Sequence, residues 1–271
     1  MWGRAIVAAA ALTACKAVVE PPLVPPGEAS LDRVLEFPNP NHAKQSATII
    51  TERLRKLGAA DYSATARDRE VKVNVQGFDP SATPFLNRVI SMRGRITFHQ
   101  VVGDSDLLEQ AWSRLSPEDR DRVILRGSTL SASARQPLVD ALQKVEVSGH
   151  RLVLKPPYRG EAGFEALLVI TDPELDNTAL HEVRRARTGA IELVFTDDGK
   201  EAFARLTKRL QGQQLAVVAD DQIWTAPMIQ EPITGGLVLI ERGTPFDPTE
   251  VQMWQLLLKM TPLASSPTVR K

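Results

Sequence analysis

The chain has 271 residues, with 43% hydrophobic and 24% charged side chains, a composition that excludes a wholly disordered polypeptide. Lys+Arg and Asp+Glu both number 33, and aromatics are 5%, so neither the basic excess nor the stacking platform of a nucleic-acid binder is present. A single cysteine leaves no disulfide framework and no Cys-based zinc site.

The first residues read as a targeting segment. Arg4 precedes a short apolar run, Ala5 to Leu12, too short to span a bilayer but suited to a signal peptide. It ends in Leu12-Thr13-Ala14-Cys15, which resembles a bacterial lipobox. The expectation is cleavage behind Ala14 and lipidation of Cys15, whose acyl chains would hold the domain on a membrane. Lys16, in place of an aspartate, leans towards the outer membrane. The proline-rich stretch from Glu20 to Gly27 predicts an extended tether, taken here to cover residues 15–42.

Ala43 to Leu57 carries Ile49, Ile50, Leu54 and Leu57 at helical spacing, with Gly58 as its stop. Tyr62 to Ala66 and Glu70 to Gln76 read as a hairpin, because Val71, Val73 and Val75 alternate with polar residues. Asp79-Pro80 opens a helix through Phe85, Leu86, Val89 and Ile90, and Gly94 to Val102 is a further strand. Together these predict an open-faced α/β sandwich over 43–110. Residues 111–162 read as a connecting region, with a capped short helix from Ser116, a helix over Gln136 to Val145 and a strand over Arg151 to Lys155.

The last third predicts a helical segment from Asn177 to Arg187, a strand from Ala190 to Phe195, and a helix capped by Thr196 with Phe203, Leu206 and Leu210 on one face. Leu215 to Ala219 and Gln222 to Ala226 flank a tight Asp220-Asp221 turn. A strand from Gly236 to Glu241 and a helix capped at Asp247 follow, and Ser265 to Lys271 reads as a frayed tail. The fold class is α+β, in two subdomains.

Catalytic motifs are missing. The histidines, His42, His99, His150 and His181, show no metal-ligand spacing, and there is no nucleophile elbow or phosphate loop. No metal or cofactor is expected. Asp197-Asp198 and Asp220-Asp221 fit cap and turn roles, Arg184, Arg185 and Arg187 a solvated face, and Trp224 and Trp254 core packing.

One stretch is specific. Leu215-Ala216-Val217-Val218, then Asp221, then Thr225-Ala226-Pro227-Met228-Ile229-Gln230-Glu231-Pro232-Ile233-Thr234-Gly235-Gly236, resembles the first periplasmic domain of the SecD protein-export family. Leu193 to Thr196 with Gly199, Ala202 and Phe203, and the Ile50 to Gly58 helix, are similar to the family in the same order. The resemblance implies a base subdomain over 43–110 and a head subdomain over 163–262, with 263–271 as tail. SecD has a transmembrane bundle that takes part in proton-coupled export; up to Lys271 nothing corresponds to it, so no such role is carried over. Gln230 stands where the family usually has asparagine, and Thr225 where it has serine.

The lipobox and the resemblance together lead to a non-catalytic envelope lipoprotein that faces the periplasm. Its partners would be exported or unfolded polypeptide or an envelope protein, with contact to the Sec machinery. The candidate binding loop comprises Thr225, Pro227, Gln230, Glu231, Pro232, Thr234, Gly235 and Gly236, and an exposed strand edge in the head would suit strand addition. The alternatives are a hydrolase built on Asp and His residues gathered by the fold, and a purely structural lipoprotein.

Overall fold

A computed structural model describes residues 24–103, 105–157, 162–241 and 245–270. The signal-like segment and Cys15 lie outside them.

The chain enters on β1 (Pro26–Glu36). Asn39 then caps α1 (Pro40–Lys56), its side chain accepting from the His42 amide at 2.9 Å. A tether reaching residue 42 is therefore corrected over 26–42. The proline-rich stretch ends at Pro26, and beyond it Leu31 and Leu35 lie opposite Val75 and Val71 in an antiparallel ladder. Arg33 shares their face and hides the alternation. Its Nε donates to Asn87 Oδ1 at 2.8 Å, which makes a charged residue tolerable there.

β2 (Asp61–Arg67) and β3 (Glu70–Phe78) form the expected hairpin, turning at Asp68 with φ 52°. A 3₁₀ turn capped by Asp79 leads into α2 (Thr83–Ser91). Helices α1 and α2 bury Ile50, Leu54, Leu86, Val89 and Ile90 in one core with Val71, Val73 and Val75. Arg53 is fully buried and donates to the carbonyls of Val89, Met92, Arg93 and Thr261. It thereby satisfies the open end of α2 and ties the C-terminal segment to it.

β4 (Ile96–Gln100) leaves this sheet for another. Then come α3 (Ser105–Ser113), α4 (Pro117–Arg122), β5 (Ile124–Arg126), β6 (Thr129–Ala132), α5 (Arg135–Lys144), β7 (His150–Lys155) and β8 (Phe164–Ile170). Residues 111–162 are thus structural, not a mere connection. They supply three strands of a seven-stranded sheet and part of a second core around Leu108, Leu130, Leu138 and Leu168.

The expected helix over Asn177 to Arg187 is corrected. Asp176 caps a single 3₁₀ turn, Asn177–Ala179, and β9 (Leu180–Arg185) follows. Against β10 (Ile191–Phe195), Phe195 pairs with Leu180 but Val194 pairs with Glu182. The extra residue, His181, is a bulge. It turns both Leu180 and Val183 inwards, and that three-residue spacing imitates a helix.

α6 (Asp197–Arg209) is capped by Thr196, and β11 (Leu215–Ala219), β12 (Gln222–Thr225), β13 (Leu237–Ile240) and α7 (Pro248–Leu258) complete the apolar elements. The tail is not frayed throughout. β14 (Thr268–Arg270) pairs with β1, and Arg270 forms ion pairs with Glu36 and Glu70.

Among the described residues the strands form three sheets: β14-β1-β3-β2, β13-β10-β9 and β4-β11-β12-β7-β8-β6-β5. β4 was expected beside β2 and β3 but pairs with β11, Phe98 opposite Val217. Ile96, Thr97, Phe98 and His99 are all buried, the mark of a strand covered on both faces. The fold class is α+β.

Candidate functional site

The expected binding loop begins where β12 stops. Val217 opposite Thr225 ends the β11–β12 ladder, and Pro227 has no amide to extend it. The chain instead turns alongside residues 212–215. Pro227 O accepts from Leu215 N at 3.1 Å, and Ile229 exchanges bonds with Gln213 and Gly212. Ile229 is buried, so it pins the first half of the loop. The Ile233 amide donates to the buried Thr207 hydroxyl at 2.9 Å and pins the second half.

Between these anchors Gln230, Glu231 and Pro232 are exposed. Gln230 is held through its backbone, whose carbonyl accepts from Gln211 Nε2 at 3.0 Å. Thr234 and Gly235 are exposed, Thr225 is half-buried, and Gly236 is buried with φ 71°. A Cβ on Gly236 would stand 2.9 Å from the Lys200 side chain, and that φ favours glycine.

Gly236 delivers the chain into β13. Its carbonyl accepts from Phe195 N at 3.0 Å, and Leu237, Val238, Leu239 and Ile240 lie opposite Val194, Leu193, Glu192 and Ile191. In an antiparallel ladder alternate residues point their amide and carbonyl to the same neighbour. Gly236, Val238 and Ile240 therefore face β10, and Leu237 and Leu239 direct theirs to the open edge. The same two leucines are 42% and 44% exposed, and Met228 is 54% exposed. β13 is the outermost strand of its sheet, and among the described residues no strand pairs with its far side. The edge thus offers unpaired backbone groups beside apolar side chains. These leucines were not singled out in the sequence. Their only signal is that Leu237 to Ile240 is apolar at every position, which does not say which side is open.

Trp224 is half-buried, edge-on to Trp254 at 4.8 Å and to Phe246 at 5.6 Å; Trp254 is buried. Asp197 and Asp198 sit in the first turn of α6, and Arg184 pairs with Glu182. Cys15 lies outside the described residues.

Asp220 and Asp221 form the hairpin turn, with φ 46° and 63°, but Asp220 is more than a turn residue. Its Oδ1 accepts from the Gly94 and Arg95 amides at 2.8 and 2.9 Å, and burial pushes its pKa up to about 6. It lines a cleft of about 310 Å³ together with His99 and Asp221. His99 Nδ1 lies 2.9 Å from Ile170 O, which can only accept, so that nitrogen carries the proton. Nε2 faces Thr97 Oγ1 at 2.9 Å and Arg151 Nη2 at 3.1 Å. Burial lowers the His99 pKa to about 4, so the ring is neutral, and neither nitrogen contacts a carboxylate. His42 bonds Ser265 far along the chain, and among the described residues no three His, Cys, Asp or Glu side chains are grouped to hold a metal ion.

Comparison with known proteins bears on the same region. Residues 159–265 match the family model described as SecDF, P1 head subdomain. Protein translocase subunit SecD of Acidaminococcus fermentans is 48% identical over 46 residues, covering 17% of this chain and 11% of that protein. Protein translocase subunit SecDF of Thermus thermophilus is 41% identical over 51 residues, covering 19% of this chain and 7% of that protein. A crystal structure of SecDF in a super-membrane-facing form matches at a TM-score of 0.52 and 21% identity, over 93% of this chain and 32% of that one. A structure of SecDF described as a membrane component that enhances protein export also scores 0.52 at 21% identity, over 89% of this chain and 98% of that one. The chain carries a SecD periplasmic head-like domain. No helix among the described residues is long and apolar enough to cross a membrane.

Proposed function

We propose that this protein is a non-catalytic envelope lipoprotein, lipidated at Cys15, that captures exported or unfolded polypeptide at the open edge of β13 as an accessory to protein export. The observation that carries the reading is the coincidence, at Leu237 and Leu239, of backbone groups unpaired among the described residues with exposed apolar side chains. An extended segment adding to β13 gains main-chain hydrogen bonds from the edge and contact with both leucines. The Thr225 to Gly236 loop stands next to that edge and is fixed at Ile229 and Ile233, so little order is lost on binding. The SecD head-like match supports a periplasmic orientation and contact with Sec machinery.

The hydrolase alternative needs a histidine and a carboxylate acting together. His99 and Asp220 share a cleft, but His99 is spent on Ile170, Thr97 and Arg151, which favours binding over catalysis.

A photoreactive residue at Leu239 in intact cells is expected to crosslink to exported chains, whereas one at exposed Thr48, on α1, is not. Equal crosslinking from both positions would refute the edge. Cys15→Ser is expected to release the protein from membranes or leave the precursor uncleaved, as read by fractionation and precursor size.

A further inference from the structure

The cleft beside the Asp220-Asp221 turn is lined by three guanidinium groups. Arg93 and Arg95 come from the link between α2 and β4, and Arg151 from β7. The Thr97 and Thr171 side chains line it as well. Cations this close repel each other unless an anion lies between them. Burial, and after it the neighbouring Arg95, lowers the Arg93 pKa.

The protein's own carboxylates fill that role only in part: Asp221 and Asp220 offset the effect of burial on Arg93, and Asp220 Oδ2 is buried without a hydrogen-bond partner. Asp220 Oδ1 is committed to the Gly94 and Arg95 amides. Asp221 Oδ2 accepts from Ser266 Oγ at 2.6 Å, and its Oδ1 is 3.4 Å from Arg151 Nη1, a long contact. Arg151 Nη2 donates to His99, a neutral ring, and Arg151 Nε is buried without a partner. Arg93 Nε donates to the Leu263 carbonyl, and among the described residues neither Arg93 nor Arg95 forms an ion pair. His99 is thus a positioning residue: it holds Arg151 by an acceptor nitrogen without cancelling its charge.

We propose that the cleft binds one carboxylate group, of the kind an Asp or Glu side chain presents, at Arg95 and Arg151. Planar guanidinium groups match a planar carboxylate in two-point contact. Asp172, Asp220 and Asp221 line the same cleft and oppose a doubly charged phosphate more than a singly charged carboxylate. This site does not rest on strand addition at β13.

The test is a titration of the full chain with N-acetylglutamate α-amide, with its neutral analogue N-acetylglutamine α-amide, and with inorganic phosphate, all at one ionic strength. Amide resonances of Gly94, Arg95 and Thr97 report on the cleft. The glutamate compound is expected to give saturable shifts with affinity at least about five-fold above the glutamine compound, as charge-assisted bonds require. Arg95→Gln, which removes no internal partner of that side chain, is expected to abolish the difference while the protein stays folded. Arg151→Gln should do the same. Equal affinity for the two compounds, an unchanged preference in Arg95→Gln, or tighter binding of phosphate than of the glutamate compound would each overturn the proposal.

Discussion

β11 and β13 are nearly the same in composition: Leu-Ala-Val-Val-Ala against Leu-Val-Leu-Ile. Every residue of β11 is buried, because β4 and β12 flank it. Leu215, Val217 and Ala219 face the main core, and Ala216 and Val218 a smaller one with Val153, Val169 and Ile223. β13 has one neighbour, and only Ile240 is fully buried. Apolar composition makes both segments strands, but the number of neighbours decides which one is scaffold and which is surface. That contrast motivates treating β13 as the working edge.

The largest expected effect comes from placing a charge on each strand. Val217→Asp puts a carboxylate where no partner exists, a cost of several kcal/mol. It is expected to prevent cooperative folding, as followed by circular dichroism and urea titration. A folded Val217→Asp protein would erase the distinction between the two strands.

Next is the tip of the β11 hairpin. The Asp220 pKa of about 6 lies above its ordinary 3.8, chiefly through burial. The protonated form therefore favours the folded state. Its contribution is complete below about pH 4 and is lost as pH rises through about 6. The wild type is expected to lose at most about 3 kcal/mol over that window relative to Asp220→Asn, measured by denaturation at each pH. Parallel profiles for the two proteins would show that Asp220 is not buried in its charged form. Asp79, Asp119 and Asp247 have lowered pKa values, so their opposite contributions fall in the more acidic range.

Leu239→Lys should change stability by no more than about 1 kcal/mol, because Leu239 is already 44% exposed. It should still weaken capture of an unfolded chain by about five-fold or more, since a charged edge disfavours strand addition. A binding loss no larger than that of Lys at exposed Thr48, on α1, would rule out capture at β13. Gln230→Ala is the smallest change. Its bond to Gln211 runs through the backbone carbonyl, so stability should stay within about 0.5 kcal/mol while capture falls, as measured by crosslinking yield.

The sequence made the local elements legible wherever periodicity was clean. The valines of β3, the Thr196 cap and the Asp220-Asp221 turn are all found as read. It failed where a tertiary contact changed the pattern. Arg33, satisfied by Asn87, disguised β1, and the His181 bulge made β9 look helical. β14 was invisible because three exposed residues carry no burial pattern and are held by pairing to β1 and by Arg270. Sheet membership was out of reach, since β4 pairs with a strand more than a hundred residues away. The loop from Thr225 to Gly236 was legible by resemblance, whereas the open leucines beside it follow from where the sheet ends.

In the proposed function an extended chain adds to the free edge of β13. Amide hydrogen exchange, resolved by residue, measures this directly in the presence and absence of a reduced, permanently unfolded polypeptide. Leu237 and Leu239 amides, which face away from β10, are expected to exchange fast alone and to become protected on binding, with Val238 and Ile240 little changed. Binding that leaves Leu237 and Leu239 unprotected would contradict the account.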